Sequence, residues 1–105
     1  MKLRRRGRFA ELIARQLDLF RQEHADLLRQ CQDALAAYER ADRDEAEELY
    51  GDYVDLVESG TELLADVRDG YATTLDEDAA GEYELAFNRA VARTLPPFGL
   101  EIENR

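Results

Sequence analysis

Tryptophan is absent from this sequence, and histidine, cysteine and methionine occur once each, as His24, Cys31 and Met1. A lone cysteine cannot form an internal disulfide, which excludes the disulfide-stapled secreted scaffolds and points to a reducing compartment. His24 and Cys31 stand two helical turns apart, roughly 10.5 Å, too far to share an ion or to work as a nucleophile and its base. The Glu-x-x-His signature of carboxylate-bridged di-iron bundles is missing too, because Arg21 is the residue three before His24. There is no glycine-rich phosphate loop, and no apolar run approaches transmembrane length. The basic opening is followed by Glu11, Arg15 and Asp18, which interrupt any signal-peptide hydrophobic stretch. The expectation is a cytoplasmic protein without a cofactor. Thirteen arginines against one lysine hint at a GC-rich bacterial genome.

Proline is scarce in an informative way. The only two, Pro96 and Pro97, are adjacent, so Phe9 to Leu95 contains none. Through that stretch apolar residues recur at alternating steps of three and four. The first series is Ile13, Leu17, Phe20, His24, Leu27, Cys31, Ala34 and Tyr38; the second is Leu49, Tyr53, Leu56, Gly60, Leu63 and Val67. This spacing places one residue per turn on a single stripe of an α-helix, which must be buried against something.

The 105 residues allow one domain. A compact globule of that length has a radius of gyration near 13 Å, whereas a helix of about 30 residues is roughly 45 Å long. A bundle of such helices should therefore be elongated and leave apolar stripe uncovered unless a partner or second copy meets it.

Three helices are expected, over about 8–40, 43–73 and 76–95, forming an all-α antiparallel bundle: a long hairpin with a shorter third helix along its open end. Asp42 with Glu45, and Thr74 with Glu77, have the spacing of capping boxes. A tight turn near Arg40–Arg43 therefore separates the first two helices. The weak point of the second is Ser59-Gly60-Thr61, where glycine costs about 1 kcal/mol relative to alanine. Ser59 with Glu62 also spells a capping box, but the stripe crosses Gly60 without losing phase, which favours continuity. The third helix should bury Ala80, Tyr83, Phe87, Ala90, Val91 and Thr94. Pro96-Pro97 ends it. In the remaining tail, 96–105, Phe98, Leu100 and Ile102 alternate with Gly99, Glu101 and Glu103, the pattern of a short extended segment.

The net charge of −10 is unevenly spread. Lys2, Arg4, Arg5, Arg6 and Arg8 make a basic arm, while residues 42–84 hold sixteen acids against Arg43 and Arg68. The arm could touch nucleic-acid phosphates or an anionic membrane surface. The competing reading is neutralisation by Asp66, Asp69, Asp76, Glu77 and Asp78 at the same end of the bundle, and the overall negative charge makes nucleic acid a weaker expectation.

The carboxylates offer one enzymatic pattern. Glu45-x-x-Glu48 followed by Asp66-x-x-Asp69 is similar in outline to the magnesium-binding pairs of all-α nucleotide pyrophosphohydrolases of the MazG type. That family has Glu-x-x-Glu and then Glu-x-x-Asp, so the second pair here is a methylene short. The resemblance implies a magnesium-dependent enzyme with Glu45, Glu48, Asp66 and Asp69 as ligands. It also demands a hairpin at Ser59–Thr61 to unite the pairs. A solvated acidic face is the plainer reading.

The preferred candidate is the hairpin tip. A third helix of about nineteen residues cannot cover it, leaving Leu28, Cys31, Leu35 and Tyr38 from the first helix and Ala46, Leu49, Tyr50 and Tyr53 from the second. Apolar side chains with several tyrosines resemble the composition of interfaces. The expected function is thus non-enzymatic: an interaction or assembly module that self-associates or binds a protein partner, the acidic second helix favouring a basic one.

Overall fold

The computed structural model describes residues 7–105. Lys2, Arg4, Arg5 and Arg6 of the basic arm lie outside the described residues. The chain is all-α. Its elements are α1 (Ala10–Glu23), α2 (Ala25–Arg40), α3 (Arg43–Ala72), α4 (Glu77–Thr94), a 3-10 turn (Pro96–Phe98) and α5 (Gly99–Glu103). The radius of gyration is 16.1 Å and the principal extents are 53 × 36 × 23 Å, elongated as long helices require.

Caps set two of the boundaries. The Asp42 carboxylate accepts from the backbone N–H groups of Asp44 and Glu45 at 3.1 and 3.2 Å, so α2 turns into α3 through Ala41–Asp42 alone. Asp76 accepts from the Ala79 N–H at 2.9 Å and opens α4, whose first turn gains from Glu77 and Asp78 beside the positive end of the dipole. α3 runs unbroken through Gly60. There the Ser59 hydroxyl donates to the Asp55 carbonyl and Thr61 to that of Val57; neither caps a new helix.

Two expectations are corrected. The first helix is not continuous from 8 to 40: it breaks for one residue at His24 (φ −120°, ψ 31°), giving α1 and α2. The hydrogen-bond ladder nearly survives the break, since His24 N–H donates to Phe20 and its carbonyl accepts from Leu28. No proline or glycine sits there. The change of partner supplies the reason, because α1 lies against α4 whereas α2 lies along α3. The tail is likewise helical rather than extended. Leu95, Phe98 and Ile102 are buried while Leu100 is 81% exposed, so the operative spacing is three and four, which two-residue alternation obscured.

The core sits at one end. Phe9, Ile13, Leu17 and Phe20 of the α1 region meet Tyr83, Phe87, Ala90 and Val91 of α4, and Leu64 and Ala65 of α3 complete it. Tyr83 is its hub. Its ring lies 5.4 Å from Phe9, 4.9 Å from Tyr71 and 5.9 Å from Phe87, and its hydroxyl donates to Gln16 Oε1 at 2.8 Å. Phe98 closes the core over Gly60, where a Cβ would stand 2.8 Å from the ring's Cζ; the absence of a side chain is what lets the ring seat. Beyond Gly60 the buried row of α3 is Thr61, Leu64, Ala65, Arg68 and Ala72, with Leu63 and Val67 only half-buried. The helix faces α2 in its first half and α4 with the C-terminal segment in its second, so its buried stripe moves by one position.

Candidate interaction surface

No residue from Gln32 to Leu56 is buried. The segment comprises most of α2, the turn and the first half of α3, and it carries Leu35, Tyr38, Leu49, Tyr53, Val54 and Leu56, all half-buried. α2 as a whole buries one residue, Cys31, and α3 buries none before Val57. Two helices lying side by side shield only the facing strip of each; shielding the flanks takes a third element, and α4 with its C-terminal extension reaches only as far as the hairpin's root.

The hairpin's exposed chemistry is aromatic and acidic. Tyr38 and Tyr50 rings are 5.1 Å apart and Tyr50 and Tyr53 rings 6.3 Å apart, so three tyrosines form a connected patch, with Tyr50 49% exposed. Around them Asp44, Glu45, Glu47, Glu48, Asp52, Asp55 and Glu58 are all exposed, against Arg43.

At the root, Leu28, Cys31, Leu35 and Tyr53 line a cleft of about 310 Å³ whose opposite wall is Pro96, Pro97 and Phe98. Four of the eight residues expected at the interface thus share one hollow, and Tyr38, Ala46, Leu49 and Tyr50 continue away from it towards the turn. The Pro-Pro wall escapes a sequence reading in which the prolines only end the third helix and the tail is a short extended segment. Burial pushes the Cys31 thiol up from its ordinary range, which leaves it a packing residue and not a thiolate nucleophile. Tyr53 is also pushed up, first by burial and then by Cys31 and Tyr50 beside it. His24 is half-buried at the helix break with its ring 4.9 Å from Phe20.

The other candidates fare differently. Because α3 is one helix, Glu48 and Asp66 are separated along it by roughly 27 Å, and Glu45, Glu48, Asp66 and Asp69 cannot converge on one ion. All four are exposed, and Asp69 is engaged by Arg68 Nε at 2.8 Å. Among the described residues no cluster of three potential metal ligands forms. Of the basic arm only Arg8 is described. It lies over the Phe9 ring, 5.1 Å from the centroid, instead of pairing with Asp66, Asp69 or the α4 acids. Among the described residues no helix is long and apolar enough to cross a membrane.

Arg68 was overlooked in the sequence. Only 3% exposed, it donates to Asp69 Oδ1, Asn88 Oδ1, the Ile102 carbonyl and the Arg105 carbonyl at 2.8–3.0 Å. It ties α5 to α3 and α4, and thereby fixes the Pro96–Phe98 wall of the cleft. Its position four residues after Leu64 and four before Ala72, on the buried row, was the available signal.

A second hollow, of about 450 Å³, lies between α1 and α4. Ile13, Leu17 and four alanines (Ala10, Ala14, Ala86, Ala90) make its floor and Arg21, Arg89 and Arg93 its edge. It meets the first hollow at Arg21 and Thr94, which line both.

No family model, curated protein or solved structure matches this chain.

Proposed function

We propose that this protein is a non-enzymatic interaction module: a three-helix antiparallel arrangement whose hairpin of α2 and α3 is completed by a protein bound along it. One observation carries the reading: the unbroken run from Gln32 to Leu56 without a buried residue, on a hairpin that nevertheless bears a connected tyrosine patch and an apolar cleft at its root. Aromatic anchors beside a water-accessible cleft are the composition of binding hot spots. The acids around the patch steer a basic surface towards it and disfavour contact with another acidic one.

Solution mass and affinity capture of the intact chain, beside a Tyr50→Ser, Tyr53→Ser variant, test it. Self-association or a captured protein that the variant loses, with helical content unchanged, is the expected result. A chain that stays monomeric, and whose captured proteins are the same for both forms, refutes the proposal.

A further inference from the structure

The basic surface that the acidic hairpin needs is present on the molecule itself. Residues 85–95 contain Arg89 and Arg93 and no acid. With Arg21 these guanidinium groups edge the α1–α4 hollow, where Asp18, 3.1 Å from Arg21, is the one carboxylate. Arg89 and Arg93 have no carboxylate within ion-pair distance among the described residues. An apolar, alanine-lined floor lies between the arginines and opens into the cleft at Cys31. The hairpin presents the complement. Glu47, Tyr50, Val54 and Glu58 recur at steps of three and four, so they share one face of α3, with Tyr50 the exposed aromatic at its centre. Within one chain that face cannot reach the hollow, because α3 is held along α2.

We infer that two copies of this chain pair about a two-fold axis, each laying the Glu47–Glu58 face of α3 along the partner's α1–α4 hollow, carboxylates on the partner's three arginines and Tyr50 over the alanine floor. This rests on the interaction reading above and names its partner. Charge decides the arrangement. Hairpin against hairpin would oppose two strongly acidic faces, whereas hairpin against hollow opposes unlike charges. The two-fold repeats the contact and covers both uncovered surfaces of both copies, as a closed isologous dimer does.

The test exchanges the charges on the full chain. One variant carries Arg21→Glu, Arg89→Glu and Arg93→Glu; the other carries Glu47→Lys and Glu58→Lys. The wild type should have twice the chain mass in light scattering, and its dissociation constant should rise as salt is increased. Each variant alone opposes like charges at both contacts and should dissociate at least about tenfold more readily. Mixed in equal amounts they should form a one-to-one heterodimer, because both contacts are again complementary. The wild-type salt dependence guards against a variant that fails to fold. A monomeric wild type, or a dimer indifferent to salt, overturns the inference. So does a dimer unaffected by either set of reversals; if Tyr50→Ser, Tyr53→Ser still disrupts that dimer, the interaction reading survives with a different geometry.

Discussion

The two ends of this molecule are made from the same kinds of helix and are packed to very different degrees. At the α4 end, Tyr83, Phe87, Val91, Leu64, Phe98 and Ile102 are essentially sealed from water, and Arg68, the one buried charge among the described residues, has four of its five N–H donors engaged by two carbonyls, an amide oxygen and a carboxylate. At the hairpin end, twenty-five consecutive residues include no buried side chain. The number of layers makes the difference. Where α1, α3, α4 and the C-terminal turn meet, each apolar stripe has neighbours on both flanks. Where α2 and α3 stand as a pair, each has one neighbour. The packed end can therefore act as an anchor, and the hairpin as a surface whose remaining burial depends on association.

Arg68→Ala should break this contrast most severely. It leaves the Asn88 amide oxygen and the Ile102 carbonyl without their shared donor and releases α5 from α3. Losing a buried, multiply hydrogen-bonded charge costs about 3 kcal/mol, a large part of the stability of a small domain. Denaturant melts should show that loss. Native-state hydrogen exchange should show protection disappearing first in Phe98–Glu103, while the hairpin amides, weakly protected already, change little.

Gly60→Ala probes the junction between the two ends. On an open helix the change stabilises by about 1 kcal/mol. At this position the new methyl meets the Phe98 ring, which is 1% exposed and has little room to swing, so overpacking of about 1–3 kcal/mol opposes the gain. The expected net effect is destabilisation, measured as a lower denaturation midpoint. The double variant Gly60→Ala, Phe98→Leu should recover part of it, since the shorter side chain vacates the space the methyl takes.

These positions also show what could be read in the sequence. Asp42 announced itself as a cap because a capping carboxylate needs only local spacing, whereas the box expected at Thr74 and Glu77 does not form: the Thr74 hydroxyl donates to the Tyr71 carbonyl and Asp76 caps α4 instead. The α4 core residues Tyr83, Phe87, Ala90 and Val91 followed from a stripe facing one direction. Ala80 and Thr94, expected on that stripe, lie half-buried and exposed. Non-local features escaped. A stripe rule assumes one partner per helix, so it missed the shift in α3 from Leu63 and Val67 to Leu64 and Arg68, and the break at His24, where the partner changes. Arg68 escaped because three of its four acceptors, on Asn88, Ile102 and Arg105, stand twenty or more residues away. The tail misled because Phe98, Leu100 and Ile102 fit a period of two, while Leu95, Phe98 and Ile102 fit the helix. The tip residues were legible as apolar helix positions; Cys31, expected uncovered among them, is buried, and the Pro96–Phe98 turn beyond the third helix faces it across the cleft at the hairpin's root.

The smallest expected effect is a pH dependence confined to the packed end. Burial pushes the Tyr83 hydroxyl up to about 12; the charge of Arg68 pulls it down, and Tyr71 and Asp69 push it up. An unfolded tyrosine titrates near 10. Because the folded state holds its proton to higher pH, the unfolded state ionises first. Stability from this group is thus intact below pH 10, falls as pH rises through 10 to 12, and levels off above. Urea midpoints measured across that window should decline in the wild type, after the general alkaline drift is removed by comparison with Tyr83→Phe. That variant loses the Gln16 hydrogen bond, so it should start lower at neutral pH and decline less.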